Sequence, residues 1–325
     1  MSIYGRGAMT GGRKTLPLNV SINGTWNRDG GYSPVDVNVP ASAVTRGTVV
    51  ITTNGIHDVT EFKNVRVDIG AVFAATSPMS GITYINGLPN DWNIMKEIGM
   101  AISEAFEASE SIDANTTGSI YVNKENKWAY KITPGDTINV TSKIGTYTYA
   151  VMGFNNFALA NQGNYGGVHK MAGLTFGAVK CIVGDEMNST DTNSGGWGKS
   201  LMRTSTMPTL EKGMPETMAQ VRVLYNDNNE NFNRSSNDFL FLPAEKEVFG
   251  INVLSPTTEG DALTQFAYYK NGGSTIKSIS VPAVHWWLRS VFPSYSNYFC
   301  CVLTSGDVGY ANASNTKGVA PCFCV

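Results

Sequence analysis

Only one long stretch of this chain, Trp92 to Phe106, repeats its apolar residues at three- and four-residue spacing. Nearly everywhere else they alternate with polar residues in short runs broken by Gly, Asn, Ser and Pro. The first pattern predicts a helix capped by Asn90 or Asp91, with Trp92, Met95, Ile98, Ile102 and Phe106 on one face and Ala101 and Ala105 beside them. The second predicts strands at Trp128 to Ile132, at PGDTINV (134–140) and at YTYAVMGF (147–154). GGWGKSLMRT (195–204) reads as a brief helix, PETMAQVRVLY (215–225) as a helix running into a strand, and Asp227 to Asp238 as a Ser- and Asn-rich loop. Strand and helix signals never alternate in the regular way of a parallel sheet. The expected fold class is therefore α+β with an irregular, loop-rich antiparallel sheet.

The first seventy residues carry an internal near-repeat. Residues 18–39 and 50–69 each run from a β-branched stretch to Asn-Gly (Asn23-Gly24, Asn54-Gly55), then to an aromatic (Tyr32, Phe62). Each ends in an alternating strand (Val35, Val37, Val39; Val65, Val67, Ile69). Asn-Gly tolerates the positive φ of a tight hairpin, so each copy is expected to be a small β unit. Such units bury little alone and need a neighbour. The expected division is two β repeat modules over 1–72, a linker and helix over 73–120, and a C-terminal domain over 121–325. The helix stripe allows two readings, packing on its own domain or an interchain bundle that makes a homotrimer.

Composition excludes some functions. A net charge of −2 with 15% charged residues gives no field to gather nucleic acid or an acidic membrane. The N-terminus MSIYGRGAMTGGRKTLPLNV lacks the apolar region of a signal peptide, and no run is long enough to span a bilayer, so a soluble product made in the cytoplasm is expected, without membrane insertion. Of five cysteines, Cys300 and Cys301 are adjacent, Cys322 and Cys324 point the same way along a strand, and Cys181 stands apart. Neither pair has the spacing of a zinc knuckle or a natural disulfide, so reduced, small apolar cysteines are expected. His57, His169 and His285 lie far apart.

A family resemblance rests on GGWGKSLMR (195–203), FLFLPAEKEVFG (239–250), HWWLRSV (285–291), the Gly306-Asp307 turn and the terminal GVAPCFCV (318–325), in that order. These resemble a bacterial and phage domain similar to the C-type-lectin-like variable proteins diversified by retroelements, whose ending resembles WWLRSP, a Tyr/Asn/Ser-rich segment, then GVRPAF or GVAPGF. Val291 stands where that family often has proline, and Ala320 where it often has arginine. The front repeats resemble modules at the start of phage tail and fibre-associated proteins. The resemblance implies a C-type-lectin-like receptor-binding domain on a virion tail, with a host cell-surface protein or glycan and other phage tail proteins as partners.

Retroelement mutagenesis replaces template adenines, and an AAC or AAT codon randomised at both adenines never yields Trp, Met, Lys, Glu or Gln. Residues 291–316 contain none of the five. At average usage about four would be expected there. Tyr supplies amphipathic contact area at low entropic cost, and Ser, Asn and Gly supply adaptable hydrogen bonds, as in antibody loops. The expected ligand contacts are Tyr295, Asn297, Tyr298 and Tyr310, with Ser294, Ser296, Leu303, Ser305, Asp307, Asn312, Ser314 and Asn315 around them. Trp286, Trp287, Leu288 and Arg289 read as scaffold, one Trp in the core and the other over a loop or interface, with Arg289 paired to a carboxylate or carbonyls. Phe299, Val302, Gly306, Val319 and Phe323 are expected to fix the display.

No enzyme, cofactor or metal is expected. The fold resemblance extends to formylglycine-generating enzymes, which use cysteines, but Cys300 and Cys301 have no adjacent cation in the sequence to lower a thiol pKa. A glycan depolymerase would need two carboxylates at a set separation, and Asp185, Glu186, Asp191 and Asp238 form no recognisable pair motif. The run Asp-Asn-Asn-Glu-Asn (227–231) reads as a loop rather than a calcium cage. The alternative to a receptor-binding protein is a structural tail or baseplate protein whose C-terminal domain packs against neighbours.

Overall fold

The computed structural model describes residues 72–109, 112–124, 127–161, 169–228, 234–260 and 263–325, together with the strands of the first seventy residues. The fold is α+β, rich in sheet and poor in helix. Backbone contacts divide it into two units, Met1–Phe73 with Asn123–Ala129, and Ala74–Val122 with Tyr130–Val325.

In the first unit, β1 (Ser2–Ala8), β2 (Pro17–Asn23), β3 (Asp36–Asn38), β4 (Thr48–Thr52) and β5 (Arg66–Asp68) form one sheet in the order β4-β1-β2-β3-β5. The first predicted copy does place its two strands side by side, β2 antiparallel to β3 with Asn23 opposite Asp36. The second copy does not, which corrects the expectation of two like hairpins. Its strands lie at opposite edges, β4 antiparallel to β1 and β5 parallel to β3. β1, which the Gly-containing start SIYGRGA does not announce, supplies the partner that β4 would otherwise have lacked. Gly24, Tyr32, Val35, Val39, Asn54, Gly55, His57, Phe62, Val65 and Ile69 lie outside the described residues.

Next in the chain come β6 (Val72–Ala75), β7 (Ile85–Asn86) and α1 (Trp92–Ser109). Asp91 caps α1, its carboxylate accepting from the Asn93 N–H at 2.8 Å. Then come β8 (Ile120–Lys124), β9 (Trp128–Ile132), β10 (Thr137–Ser142), β11 (Gly145–Ala158) and β12 (Met171–Ala178). β10, β11 and β12 form an antiparallel sheet completed by the last strand of the chain, β20 (Cys322–Cys324). In between run β13 (Val183–Asp185), α2 (Gly196–Lys199), a π-turn at Met202–Thr206, α3 (Met207–Glu211), β14 (Val221–Tyr225) and β15 (Arg234–Asp238). They are followed by α4 (Glu245–Phe249), α5 (Ala267–Lys270), β16 (Trp286–Val291), β17 (Tyr298–Val302), β18 (Val308–Asn312) and β19 (Lys317–Val319). The second sheet of the larger unit has the order β13-β19-β16-β17-β18.

The stripe of α1 lies on β11 and β12, with Met95, Ile98 and Ile102 at 0% exposure. Trp92 meets Phe176 and Phe323, whose rings stack at 5.1 Å. Glycine permits the approach: a Cβ on Gly173 would stand 2.0 Å from the Gly99 carbonyl oxygen, and one on Gly99 would stand 2.6 Å from that of Val325. The stripe is thus occupied within the chain, the first of its two expected readings, and backbone contacts place α1 in the larger unit.

GVAPCFCV joins both sheets. β19 lies parallel to β16, Pro321 turns the chain, and β20 pairs with β12 while Ala219 and Phe241 bond its other edge. A strand enclosed on every side suits small apolar side chains, and Cys322 and Cys324 are buried there. Two local expectations fail. Residues 215–220 form a turn and a bridge rather than a helix, because Pro215 and the Ala219 bond to Cys324 draw the backbone into the sheet. The end of the Ser/Asn-rich loop is β15, which pairs with β14 from Arg234↔Tyr225 to Asp238↔Val221.

Candidate functional site

At the end of the second sheet where β16 stops and β17 starts, four aromatic rings meet. The Phe292 centroid is 5.5 Å from that of Tyr295, 6.4 Å from that of Tyr298 and 5.0 Å from that of Tyr310. Tyr298 is 5.1 Å from Tyr295 and 4.9 Å from Tyr310. Tyr295 is 53% exposed and Tyr310 50%, whereas Phe292 and Tyr298 are half-buried. β-Strand register brings in Tyr310. It lies opposite Cys300, one diagonal step from Tyr298, so the two rings share a face.

The loop bearing Tyr295 is held from below by Asn193, fully buried in the segment between β13 and α2. Its amide nitrogen donates to the carbonyls of Tyr295 at 2.8 Å and Tyr298 at 2.9 Å, and its backbone N–H donates to Ser296 at 2.8 Å. Its side-chain oxygen accepts from the Asn228 amide at 2.7 Å. Asn297 donates to the Asn312 side chain at 2.8 Å, and Ala313 N–H to the Asn297 carbonyl at 2.9 Å. Asp191 accepts from the Ser314 hydroxyl at 2.6 Å. Exposed rings therefore sit on a backbone whose own groups are satisfied.

Of the residues predicted from sequence, Ser294, Tyr295, Ser296, Asn297, Tyr298, Tyr310, Asn312, Ser314 and Asn315 gather at this end. Leu303, Ser305 and Asp307 do not. They form the β17–β18 turn, closed by Leu303 N–H to Asp307 carbonyl at 2.8 Å, at the opposite end of five-residue strands. At about 3.3 Å per residue, that is roughly 16 Å away. Residues 294–298 and 310–315 meet because the chain doubles back, whereas the turn between them must point away. Sequence reasoning missed Phe292, which completes the ring cluster, and Asn193, which anchors it. Asn193 lies about a hundred residues earlier with no motif to mark it.

The frame beneath is buried without exception across Trp286–Ser290 and Gly318–Pro321. Both tryptophans are fully buried. Trp286 donates its indole N–H to the Thr275 carbonyl and Trp287 to the Asp185 carbonyl, each at 2.9 Å. Arg289, at 0% exposure, grips both oxygens of Glu247 at 2.6 Å each and donates to the carbonyls of Leu242 at 2.8 Å and Leu224 at 2.9 Å. Phe299, Val302, Val319 and Phe323 are buried, and Gly306 adopts φ 92° in its turn.

The chemistry of the other candidates is structural. All five thiols are free and buried, and burial pushes Cys181, Cys301 and Cys322 up to about 12. Asp238 accepts from Arg203 at 2.7 Å and from the Trp197 indole at 2.9 Å, and Asp185 accepts from Thr206 at 2.7 Å. Among the described residues no three His, Cys, Asp or Glu side chains are placed to hold a metal ion, and no helix is long and apolar enough to cross a membrane.

Residues 180–325, from just before β13 to the last residue, match the family described as a domain of unknown function (DUF6273). No curated protein and no solved structure matches the chain.

Proposed function

We propose that this chain is a phage virion receptor-binding protein, carried at a tail tip or fibre end, whose C-terminal domain is C-type-lectin-like and presents a diversified face to a host cell-surface molecule. The observation that carries the reading is where the exposed rings fall. WWLRS and GVAP are wholly buried, while the exposed rings fall between them, in the stretch that lacks Trp, Met, Lys, Glu and Gln. Mutation confined to exposed positions alters contacts without disturbing packing. The β repeats would attach the protein to other tail components. A homotrimer, if formed, must use a surface other than the α1 stripe.

Asp185, Asp191 and Asp238 each accept hydrogen bonds that hold a loop or strand, so three of the four acids weighed for a depolymerase are in structural bonds. A second reading, a structural tail protein that packs on neighbours, is favoured by the exposed Ile276, Ile279 and Val281 between α5 and β16.

Resequencing the gene from independent isolates tests diversification. The codons for Tyr295, Asn297, Tyr298 and Tyr310 should vary at adenine-templated positions, beside a reverse transcriptase gene and an adenine-rich near-copy of the gene's last hundred-odd bases. No near-copy, with variation spread evenly through WWLRS and GVAP, would remove the diversified face.

A further inference from the structure

We infer that the aromatic platform takes an uncharged saccharide, stacked on Tyr295 and Tyr310, and takes it without a metal ion. This rests on the receptor-binding reading and narrows its ligand. Three features of the platform select the class.

Ring spacing is the first. Neighbouring centroids are 4.9–6.4 Å apart, so the rings fill one another's space. A cage around an ammonium group needs rings on opposite sides of the cation, each up to about 6 Å away, and this cluster has no such gap. What it offers is an outer surface of two half-exposed phenols, suited to the flat apolar face of a pyranose.

Charge is the second. Residues 290–316 hold no Lys or Arg, and their one acid, Asp307, lies at the far turn; Asp191, bonded to Ser314, brings a carboxylate to the rim, but among the described residues no three His, Cys, Asp or Glu side chains gather to hold a cation. An anionic sugar or phosphate would lose water at the platform with no counter-charge from this segment. Ser294, Ser296 and Asn315 are exposed beside the rings, and hydroxyl and amide groups both donate and accept, which matches sugar hydroxyls.

Size is the third. The rings and their polar rim comprise about ten residues, where a standard protein interface takes roughly 20–30 a side. The division of the predicted positions between two ends of the sheet is what makes the site this small. Asn193 already fixes the supporting backbone, so little ordering opposes a small ligand.

The test applies the full chain to an array of neutral oligosaccharides of glucose, galactose, mannose and N-acetylglucosamine, with sialylated and sulfated ones beside them, all in EDTA. Binding to neutral sugars should persist in EDTA, weaken about three- to tenfold in Tyr310→Ala and in Tyr295→Ala, and remain unchanged in Ile251→Ser, a surface change elsewhere. Binding confined to charged sugars, lost in EDTA, or indifferent to both tyrosines would overturn the inference. A blank array would also overturn it, and treated bacterial cells then separate the two claims. Adherence abolished by protease but kept after periodate means a protein ligand, with the receptor reading intact. No adherence to any cell removes that reading as well.

Discussion

Replacing Arg289 by Met tests the frame beneath the proposed binding face. The guanidinium is fully buried and makes two 2.6 Å bonds to Glu247 and one bond each to the carbonyls of Leu242 and Leu224. Methionine fills much of the stem volume but leaves Glu247 with one remaining donor, the Ala244 N–H at 2.8 Å, and leaves two carbonyls without this partner. Breaking a buried ion pair from one side costs about 3–5 kcal/mol, and each abandoned acceptor about 1–3 kcal/mol before relaxation. These costs overlap, so a loss of about 4–6 kcal/mol is expected, a large part of the 5–15 kcal/mol that holds an ordinary domain together. The double variant Arg289→Met/Glu247→Leu should recover several kcal/mol, because the Glu247 charge is then no longer stranded. Urea unfolding followed by tryptophan fluorescence reads this directly, since Trp197, Trp286 and Trp287 all lie in the larger unit. A loss below about 1 kcal/mol for Arg289→Met, or a double variant no better than the single, would refute the account of this pair.

Three further outcomes follow from packing and burial. Gly173→Ala places a methyl 2.0 Å from the Gly99 carbonyl oxygen and should destabilise the larger unit by about 1–3 kcal/mol or more, seen as a lower Tm; an unchanged Tm would mean that α1 does not sit on β12 as described. The five buried thiols should resist a disulfide reagent at pH 8 in the native protein and all react in denaturant; rapid native reaction of any one would contradict their burial. Burial raises the Glu259 carboxyl to about 7 against nearby Arg289, so the folded state holds this proton more tightly than the unfolded one. Its contribution to stability is full below about pH 4.5 and declines as pH rises to about 7, so Glu259→Gln should stabilise the protein at pH 8 by up to about 3 kcal/mol and flatten that slope. Equal slopes in variant and wild type would refute this.

The α+β class, the Asp91 cap, the α1 stripe and the strands β9 to β11 were legible because each is a local pattern of period and cap. Arg289 was legible as a buried partner because a cation between Trp-Trp-Leu and the apolar residues after it has to be paired. What could not be read is long-range pairing. β1 with β4, the β14–β15 ladder, and the Asn193 bonds to Tyr295 and Tyr298 depend on chain return, and periodicity says nothing about that. The same limit explains Leu303, Ser305 and Asp307. Composition placed them with the tyrosines, and only the hairpin register shows that they occupy its other end.

The central claim is that the exposed rings meet a host surface, and whole-cell binding measures it most directly. Fluorescently labelled wild type and a Tyr295→Ala/Tyr310→Ala variant would be titrated onto a panel of bacterial strains, with circular dichroism matched beforehand. Two rings at about 0.5–1.5 kcal/mol each predict a loss of roughly one to two orders of magnitude in affinity on any strain that the wild type binds, with the fold unchanged. Equal binding by the two proteins would contradict the claim.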